Sequence, residues 1–355
     1  MLKGLALTPP VLGRISIGRV VEKAGKRLPE KDDGFTLTSQ VQHRGSWVNH
    51  PLDEVLRKAP GAKLRSIAVR LLFDDPDLNL RASYSLFDRH TGRPLCVGNG
   101  QTCRRSTANG IQVLECASPE GCALGIEQGC KPYARLHVRI DVPGQGSVPT
   151  DAQIDAQTDS HADELGSFVF RTTGFNSIRT LSARLHYLHA VSGGRLSTLA
   201  LELKLRGKST TLSRRSPIYY VDLTVRSGLT VTQAVSQARA QWEARQAAGF
   251  DQAALDAAAK AGLALGAFEE SVEEGAAVVA EFFAPNAEGL EDGGQTGIEH
   301  EGDREVDREV HQDVDRDVGG EARIPHAPSP ATGMATVPNQ ALRGKLERKA
   351  ARLLS

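Results

Sequence analysis

The chain has 355 residues, of which 40% are hydrophobic, and its 43 lysine and arginine residues balance 43 aspartate and glutamate residues. This length and apolar content suffice for a packed core, which excludes a scaffold that depends on disulfide cross-links. No run approaches the roughly 18 consecutive apolar residues of a membrane-spanning helix. The first residues, MLKGLALTPPVLG, are too short and too proline-rich an apolar run for a signal peptide. We therefore expect a cytoplasmic protein without membrane contact.

Three segments in the first half of the chain predict strands. LRSIAVRLLFDD, LNLRASYSLFDRH and YARLHVRIDV all alternate apolar and polar residues with a period of two. The first two are joined by DDPDLN, which predicts a turn. The expected core-facing residues are Ile67, Val69, Leu71 and Phe73 in the first segment, Leu80, Ala82, Tyr84 and Leu86 in the second, and Leu136, Val138 and Ile140 in the third.

All five cysteines lie between the second and third of these strands, within residues 96–130. This segment is rich in glycine and predicts a loop inserted between strands of a sheet. In a reducing cytosol such a cluster favours metal ligands, with redox thiols and simple packing as the alternatives. Tetrahedral zinc needs four ligands, and a site closed by four sulfurs is structural, since it leaves no position for a substrate. No C-x-x-C pair occurs, so spacing alone leaves open which four of the five cysteines would bind one zinc ion.

The second half predicts a strand, a helix, a hairpin and two further helices. GSFVFRT predicts the strand, and a helix begins at Asn176 or Ser177 and ends at the glycines of residues 193–194. LALELKLR and IYYVDLTVR alternate as a hairpin with one buried face. Thr230 and Gln233 form a capping box for the next helix, and Asp251 opens the last one. The apolar residues at helical spacing in the first helix are Ile178, Leu181, Leu185 and Leu188.

These elements predict an α+β body with a mostly antiparallel sheet and C-terminal helices over residues 1–283. Residues 284–338 form an acidic, low-complexity segment that contains the tandem repeat DREVDREVHQDVDRDV, and we expect it to be disordered. Residues 339–355 predict a short basic amphipathic helix. The acidic segment would either shield a basic body or simply keep the protein soluble.

Seven basic residues on loops and on the central helix could meet phosphates or an acidic partner surface, the alternative being ordinary solvated side chains. Aromatic residues make up only 5% of the chain, so stacking platforms for single-stranded nucleic acid are few. The candidate residues are Arg104, Arg105, Arg179, Arg184, Lys208, Arg214 and Arg215.

Catalytic motifs are weak. RGKST resembles the end of a phosphate-binding loop, but Glu202 stands where that loop needs its first glycine. The sequence has no Gly-x-Ser-x-Gly elbow and no His-Glu-x-x-His pair. His186 and His189 are three residues apart on one helix without a third ligand nearby in sequence. The residues therefore favour a non-catalytic binding protein and identify no small-molecule substrate. The alternative is a metal-dependent hydrolase acting on nucleic acid or nucleotides.

Four segments carry a family resemblance: PLCVGNG, CKPYARLHVRID, FVFRTTGFNSIRTLSARL and RGKSTTLSRRSPIYYVDLTVRSG. They resemble a family encoded by bacteriophages and integrative elements, whose members are commonly labelled as hydrolases or metal-binding proteins. That family is similar to recombination directionality factors, which bind a serine integrase and switch it from integration to excision. The resemblance covers about residues 5–284. It implies a serine integrase as the partner, while the basic residues leave open whether DNA is contacted directly.

The resemblance also bears on the metal ligands. In related proteins the cysteines open with Cys-x-x-x-Gly and end with Cys-Lys before a strand, which matches Cys96 with Gly100 and Cys130 with Lys131. It thus implies one structural zinc ion, with Cys103 as an alternative ligand. The implied ligand set is Cys96, Cys116, Cys122 and Cys130.

Overall fold

Segments of alternating apolar residues build one mostly antiparallel sheet, against which the helices pack. The computed structural model describes residues 10–23, 26–43, 46–59, 61–142, 166–209, 217–264, 275, 278, 279 and 281–283. The chain divides into two units, residues 1–292 and 293–355, and the whole second unit lies outside the described residues. The predicted α+β class, antiparallel sheet and C-terminal helices are confirmed.

The described residues contain twelve strands. Those in the first part of the chain are β1 (Val11–Lys23), β2 (Lys26–His43), β3 (Ser46–Asn49), β4 (Ser66–Arg70), β5 (Leu80–Phe87) and β6 (Pro94–Gly98). The later ones are β7 (Thr102–Thr107), β8 (Gly110–Glu115), β9 (Lys131–Ile140), β10 (Ser167–Thr172), β11 (Leu201–Lys208) and β12 (Ile218–Val225).

Strand β9 is the branch point of the sheet. Nine strands follow the order β3-β2-β1-β10-β9-β5-β6-β7-β8, and only the β1–β10 pair among them is parallel. The end of β9 also pairs with β4, at Val69 with Ile140, and β4 continues through β11 to β12. Because β9 is long enough to pair with β5, β10 and β4, it carries both the cysteine-rich strands and the β11–β12 hairpin.

Seven α-helices complete the described fold: α1 (Pro51–Val55), α2 (Pro76–Asn79), α3 (Ser118–Gly121), α4 (Ala123–Gln128), α5 (Phe175–Ser192), α6 (Val231–Ala247) and α7 (Gln252–Ala264). The predicted capping box of α6 is present, since Thr230 Oγ1 accepts from the backbone N–H of Gln233 at 3.2 Å. Asp251 opens α7 by accepting from the backbone N–H of Ala254 at 2.9 Å. α5 ends at Gly193, whose φ of 64° suits glycine.

The main core lies between one face of the sheet and α5. All four apolar residues predicted for the inner face of this helix are buried, as are the four predicted in the β4 segment. In β5 the prediction holds for Leu80 and Leu86, whereas Ala82 is exposed. The hairpin β11–β12 is confirmed, with Leu203 opposite Leu223. Its second face is also partly covered, because Glu202 and Asp222 are buried and ion-paired.

Two local predictions are wrong. The cysteine-rich segment is not a loop: its first part forms β6, β7 and β8, which extend the sheet, and its last part forms α3 and α4. DDPDLN is not a simple turn, because Asp75 caps the helical turn α2 by accepting from the backbone N–H of Asp77 at 2.8 Å. The predicted disordered segment 284–338 and the predicted helix 339–355 lie outside the described residues.

Candidate functional site

The five cysteines come together beside the end strands of the sheet, and we call this group the cysteine cluster. Two of the thiols lie on strands and three lie on connections between elements, and none forms a disulfide. Two are buried and three are half-buried. Leu86, Leu95 and Leu124 pack against them. The members are Cys96 on β6, Cys103 on β7, Cys116 after β8, Cys122 before α4, and Cys130 immediately before β9.

Close backbone packing at Gly98 brings two of these thiols together. Gly98 pairs with Cys103 across β6 and β7. A Cβ on Gly98 would lie 2.7 Å from the Cβ of Cys103 and 2.8 Å from the Sγ of Cys116. The backbone N–H of Cys116 donates to the carbonyl of Gln101 at 2.9 Å, which folds the chain after β8 back over this point. Gly98 therefore leaves the space in which Cys116 approaches Cys103.

The α3–α4 segment delivers the last two cysteines. Gly125 lets α4 approach α3, since a Cβ there would lie 2.7 Å from the carbonyl oxygen of Pro119. Gly129 ends α4 with a φ of 80°, and the backbone N–H of Cys130 then donates to the carbonyl of Gly125 at 3.1 Å. This turn sends the chain from α4 into β9 with Cys130 facing the cluster.

The thiols share one electrostatic environment. Burial, and then the charges of three neighbouring cysteines, raise the pKa of Cys130 to about 12. Burial and a hydrogen bond with Cys96 raise the pKa of Cys103 to about 11. The pKa of Cys122 is lowered, first by the backbone N–H of Gly125 and also by Arg105. Several thiolates in this cluster would therefore need a compensating cation.

Arg105 already brings a positive charge into the cysteine cluster. It lies opposite Cys96 in the β6–β7 pair, and its guanidinium donates to the Sγ of Cys122 at 3.5 Å. Hydrogen bonding to Cys96 is the main cause that raises the pKa of Arg105. Among the described residues, no group of three or more histidine, cysteine, aspartate or glutamate side chains has an arrangement that would hold a metal ion. Sulfur donors of this kind suit zinc. In this structure, however, Cys96 and Cys122 are hydrogen-bonded to the guanidinium of Arg105.

The basic residues predicted as a partner surface do not form one group. Arg184 donates to the carboxylate of Asp222 at 3.0 Å, and Lys208 donates to the side chain of Asn176 at 2.8 Å. Arg104 is exposed on β7 and Arg179 is exposed on α5. The remaining two, at positions 214 and 215, lie outside the described residues.

A second group of basic residues lies on the sheet face opposite the main core. We call it the arginine row: Arg14, Arg171, Arg135 and Arg81, on the neighbouring strands β1, β10, β9 and β5. Sequence reasoning missed it, because polar residues that alternate with core residues in strands such as YARLHVRIDV are normally solvent-facing. The register gives the signal, since Arg135 lies directly opposite Arg171 on one side and Arg81 on the other.

Burial of the arginine row shows in two pKa shifts. Burial, followed by the charge of Arg135, lowers the pKa of Arg81 to about 9. His137 is on the same face, where burial and then the charges of Arg135, Arg81 and Arg171 lower its pKa to about 3. His137 is therefore neutral near pH 7, and its Nδ1 lies 3.4 Å from the hydroxyl of Ser167.

Comparison with known proteins identifies the family of the chain. No helix among the described residues is both long and apolar enough to cross a membrane. No curated protein and no solved structure matches the chain. A family profile described as Gp3-like, recombination directionality factor-like, matches residues 12–226, which is more than half of the chain and contains nearly the whole sheet together with α5. The chain belongs to the Gp3-like, recombination directionality factor-like family.

Proposed function

We propose that the protein is a non-catalytic accessory factor of a mobile genetic element that binds a serine integrase and shifts its reaction from integration to excision. The family match over the sheet and α5 is the observation that carries this proposal. DNA cleavage and rejoining would then belong to the recombinase. The accessory factor would act by binding one conformation of the recombinase better than another, since only such differential affinity shifts an equilibrium between two states.

We also propose that the cysteine cluster binds one structural zinc ion through Cys96, Cys116, Cys122 and Cys130. The support is the convergence of sulfur donors and the mutual repulsion that their charges would create without a cation. Zinc binding here would stabilise the junction between the end strands and β9, because structural zinc sites contribute directly to folding free energy.

Cys103 fits the set of ligands least well. It is only 2% exposed, and its thiol donates to the carbonyl of Glu115 at 3.7 Å. A buried thiol that donates to a backbone carbonyl acts as a packing residue, which supports the four-cysteine set without it.

The β7–β8 hairpin is the surface that we propose for the recombinase. Strand β8 is the last strand of the nine-strand order, and Ile111 and Val113 on it are 51% and 71% exposed. Arg104 lies directly opposite Val113, so a cation stands beside these apolar side chains. An edge strand that combines exposed apolar groups with a charge is typical of a protein–protein contact. We propose DNA as a second partner, contacted through exposed cations such as Arg104 and Arg179.

An excision assay with the cognate serine integrase tests the proposal. Recombination between the hybrid attachment sites should require the protein, and Val113→Asp and Arg104→Glu should each reduce complex formation and excision at least about ten-fold. Arg239→Glu is the matched control, since Arg239 is an exposed arginine on α6 that pairs with its neighbour Glu243 at 2.9 Å. Duplex DNA tested alone over a salt series measures direct contact, because phosphate contacts weaken steeply with salt.

The result that overturns the proposal is equally specific. No change in product direction and no co-purification with the integrase would refute the accessory role. Metal-dependent nuclease or phosphatase activity that disappears in Cys122→Ser would instead support the hydrolase interpretation.

A further inference from the structure

The arginine row is covered by a later part of the same chain, which we call the docked segment: residues 275–283, of which 275, 278, 279 and 281–283 are described. The carboxylate of Glu281 lies 3.8 Å from both Arg14 and Arg171. The backbone N–H of Phe283 donates to the carbonyl of Val279 at 2.9 Å, so this end of the segment makes a helical turn. The docked segment therefore presents one carboxylate to the row.

An aromatic pocket beside the arginine row receives the ring of Phe282. This ring packs edge-on against Phe87 and Tyr133, with centroids 4.9 Å and 5.9 Å away, and it is fully buried. The ammonium of Lys131 lies 4.7 Å from the same ring. The pocket thus selects an aromatic side chain and the row selects a carboxylate, and the segment supplies the two from adjacent residues.

Two observations distinguish this contact from the main core. The residues around Phe282 form an apolar cluster separate from the large one between the sheet and α5. The strands beneath are held by that large cluster on their other face, so they do not depend on the segment for their packing. In addition, Glu281 remains 38% exposed and lies 3.8 Å from each of its two arginines, so its side chain is not enclosed as a core residue is.

We propose that the arginine row and the aromatic pocket form a binding surface for an acidic–aromatic peptide segment of a partner protein, which the docked segment occupies until that partner displaces it. The class of ligand is inferred from the docked segment, in which the carboxylate residue Glu281 is followed directly by the aromatic residue Phe282. Nucleic acid fits less well, because both neighbouring rings contact Phe282 in T-shaped geometry, whereas a stacked base lies parallel to its aromatic partner. This surface does not depend on the partner being a recombinase.

The test uses a labelled peptide with the sequence of residues 275–287, GAAVVAEFFAPNA, and fluorescence anisotropy. The wild-type chain should bind it weakly, because the tethered segment competes at a high effective concentration. The full-length double variant Glu281→Ala, Phe282→Ala should bind it at least ten-fold more tightly. Adding Arg171→Ala to that variant should remove the gain, whereas adding the remote Arg239→Ala should not. A peptide with Lys and Ala in place of Glu and the first Phe is the negative control.

A second experiment leaves the docked segment unchanged and cuts the chain before it. A protease site placed between Ala264 and Gly275 lets the purified chain be cleaved after folding, so that the docked segment becomes a separate ligand. Excess labelled peptide should then exchange with it while circular dichroism stays unchanged. The proposal is overturned if the cleaved fragment leaves only when the sheet unfolds. It is equally overturned if the folded double variant binds single- or double-stranded DNA of 20 nucleotides and not the peptide.

Discussion

Gly98→Ala tests whether close packing at this glycine holds the cysteine cluster together. The new Cβ would lie 2.7 Å from the Cβ of Cys103, 2.8 Å from the Sγ of Cys116 and 3.0 Å from the carbonyl oxygen of Thr102. Two of these atoms belong to the backbone or to a Cβ of the paired strand β7, so they cannot move aside as the end of a long side chain can. The strand pair must therefore separate locally, or Cys116 must leave the cluster.

The expected cost is that of overpacking, about 1–3 kcal/mol. For a folded unit of this size, each 1 kcal/mol lowers the midpoint of thermal unfolding by about 2–4 °C, so we expect a decrease of about 2–12 °C. Because Cys116 is one of the four proposed ligands, the zinc content of the purified variant should fall together with the midpoint. Thermal unfolding by circular dichroism and metal analysis of the same sample measure both effects.

Gly34→Ala is the matched control. Gly34 also lies within a strand, β2, but a Cβ there would meet its nearest atom, the backbone nitrogen of Leu64, at 3.6 Å, which is an ordinary contact. Its effect should stay below about 1 kcal/mol, since a compatible alanine also reduces the entropy of the unfolded chain. The reasoning is refuted if Gly98→Ala unfolds within about 1 °C of the wild-type protein and keeps its zinc.

Three further predictions concern the cysteine cluster, the histidine beside the arginine row and a buried amide. Cys122→Ser should lose the single zinc ion and Cys103→Ser should keep it; equal zinc content in the two variants would contradict the assigned ligands. Lowering the pH from 7 to 4 should destabilise the protein by up to about 1.4 kcal/mol per pH unit through His137 alone. The reason is that the folded-state pKa of about 3 lies below the ordinary value of 6.5. Between these two pH values the unfolded chain binds a proton that the folded chain does not, so the free energy of unfolding decreases as the pH falls. Urea unfolding at several pH values should show a shallower pH dependence for His137→Gln, and an unchanged one would show that another group is responsible. Asn79→Leu should lower the free energy of unfolding, measured in urea, by about 3 kcal/mol or more. The reason is that the buried side chain of Asn79 hydrogen-bonds to two backbone N–H groups and two carbonyls at 2.8–3.2 Å. A decrease of less than about 1 kcal/mol would contradict this role.

Sequence periodicity was informative wherever one face of an element meets the main core. The four inward residues of α5 and the alternation in β4 could be assigned because burial there follows a period of 3.6 or of two. The helical turn α2 could also be predicted from the sequence, since an aspartate followed by a proline is a helix-start signal, and Asp75 and Pro76 form this pair.

Two features lay beyond sequence patterns for physical reasons. Strand β7 consists mostly of Thr, Arg and Ser and buries only Cys103, and strand β8 exposes its apolar residues Ile111 and Val113. No buried alternation therefore marks these strands, and backbone pairing of β7 with β6 and with β8 defines them instead. The arginine row is an alternation of the expected kind, but the segment that covers it comes from about 100 or more residues later in the chain. Only the sheet register and that long-range contact show that these polar positions are buried.

Strand β9 connects the two sites covalently. Cys130 is the last member of the cysteine cluster, and the next residue, Lys131, begins β9 and lies over the ring of Phe282. Two and four residues further along, Tyr133 lines the aromatic pocket and Arg135 stands in the centre of the arginine row. The first five residues of β9 therefore extend from a thiol to the middle of the basic face. Because hydrogen bonds to β5 on one side and β10 on the other hold this strand, a shift of Cys130 caused by the proposed zinc binding would be transmitted directly into β9. The cysteine cluster is thus placed to set the position of the residues that hold the docked segment.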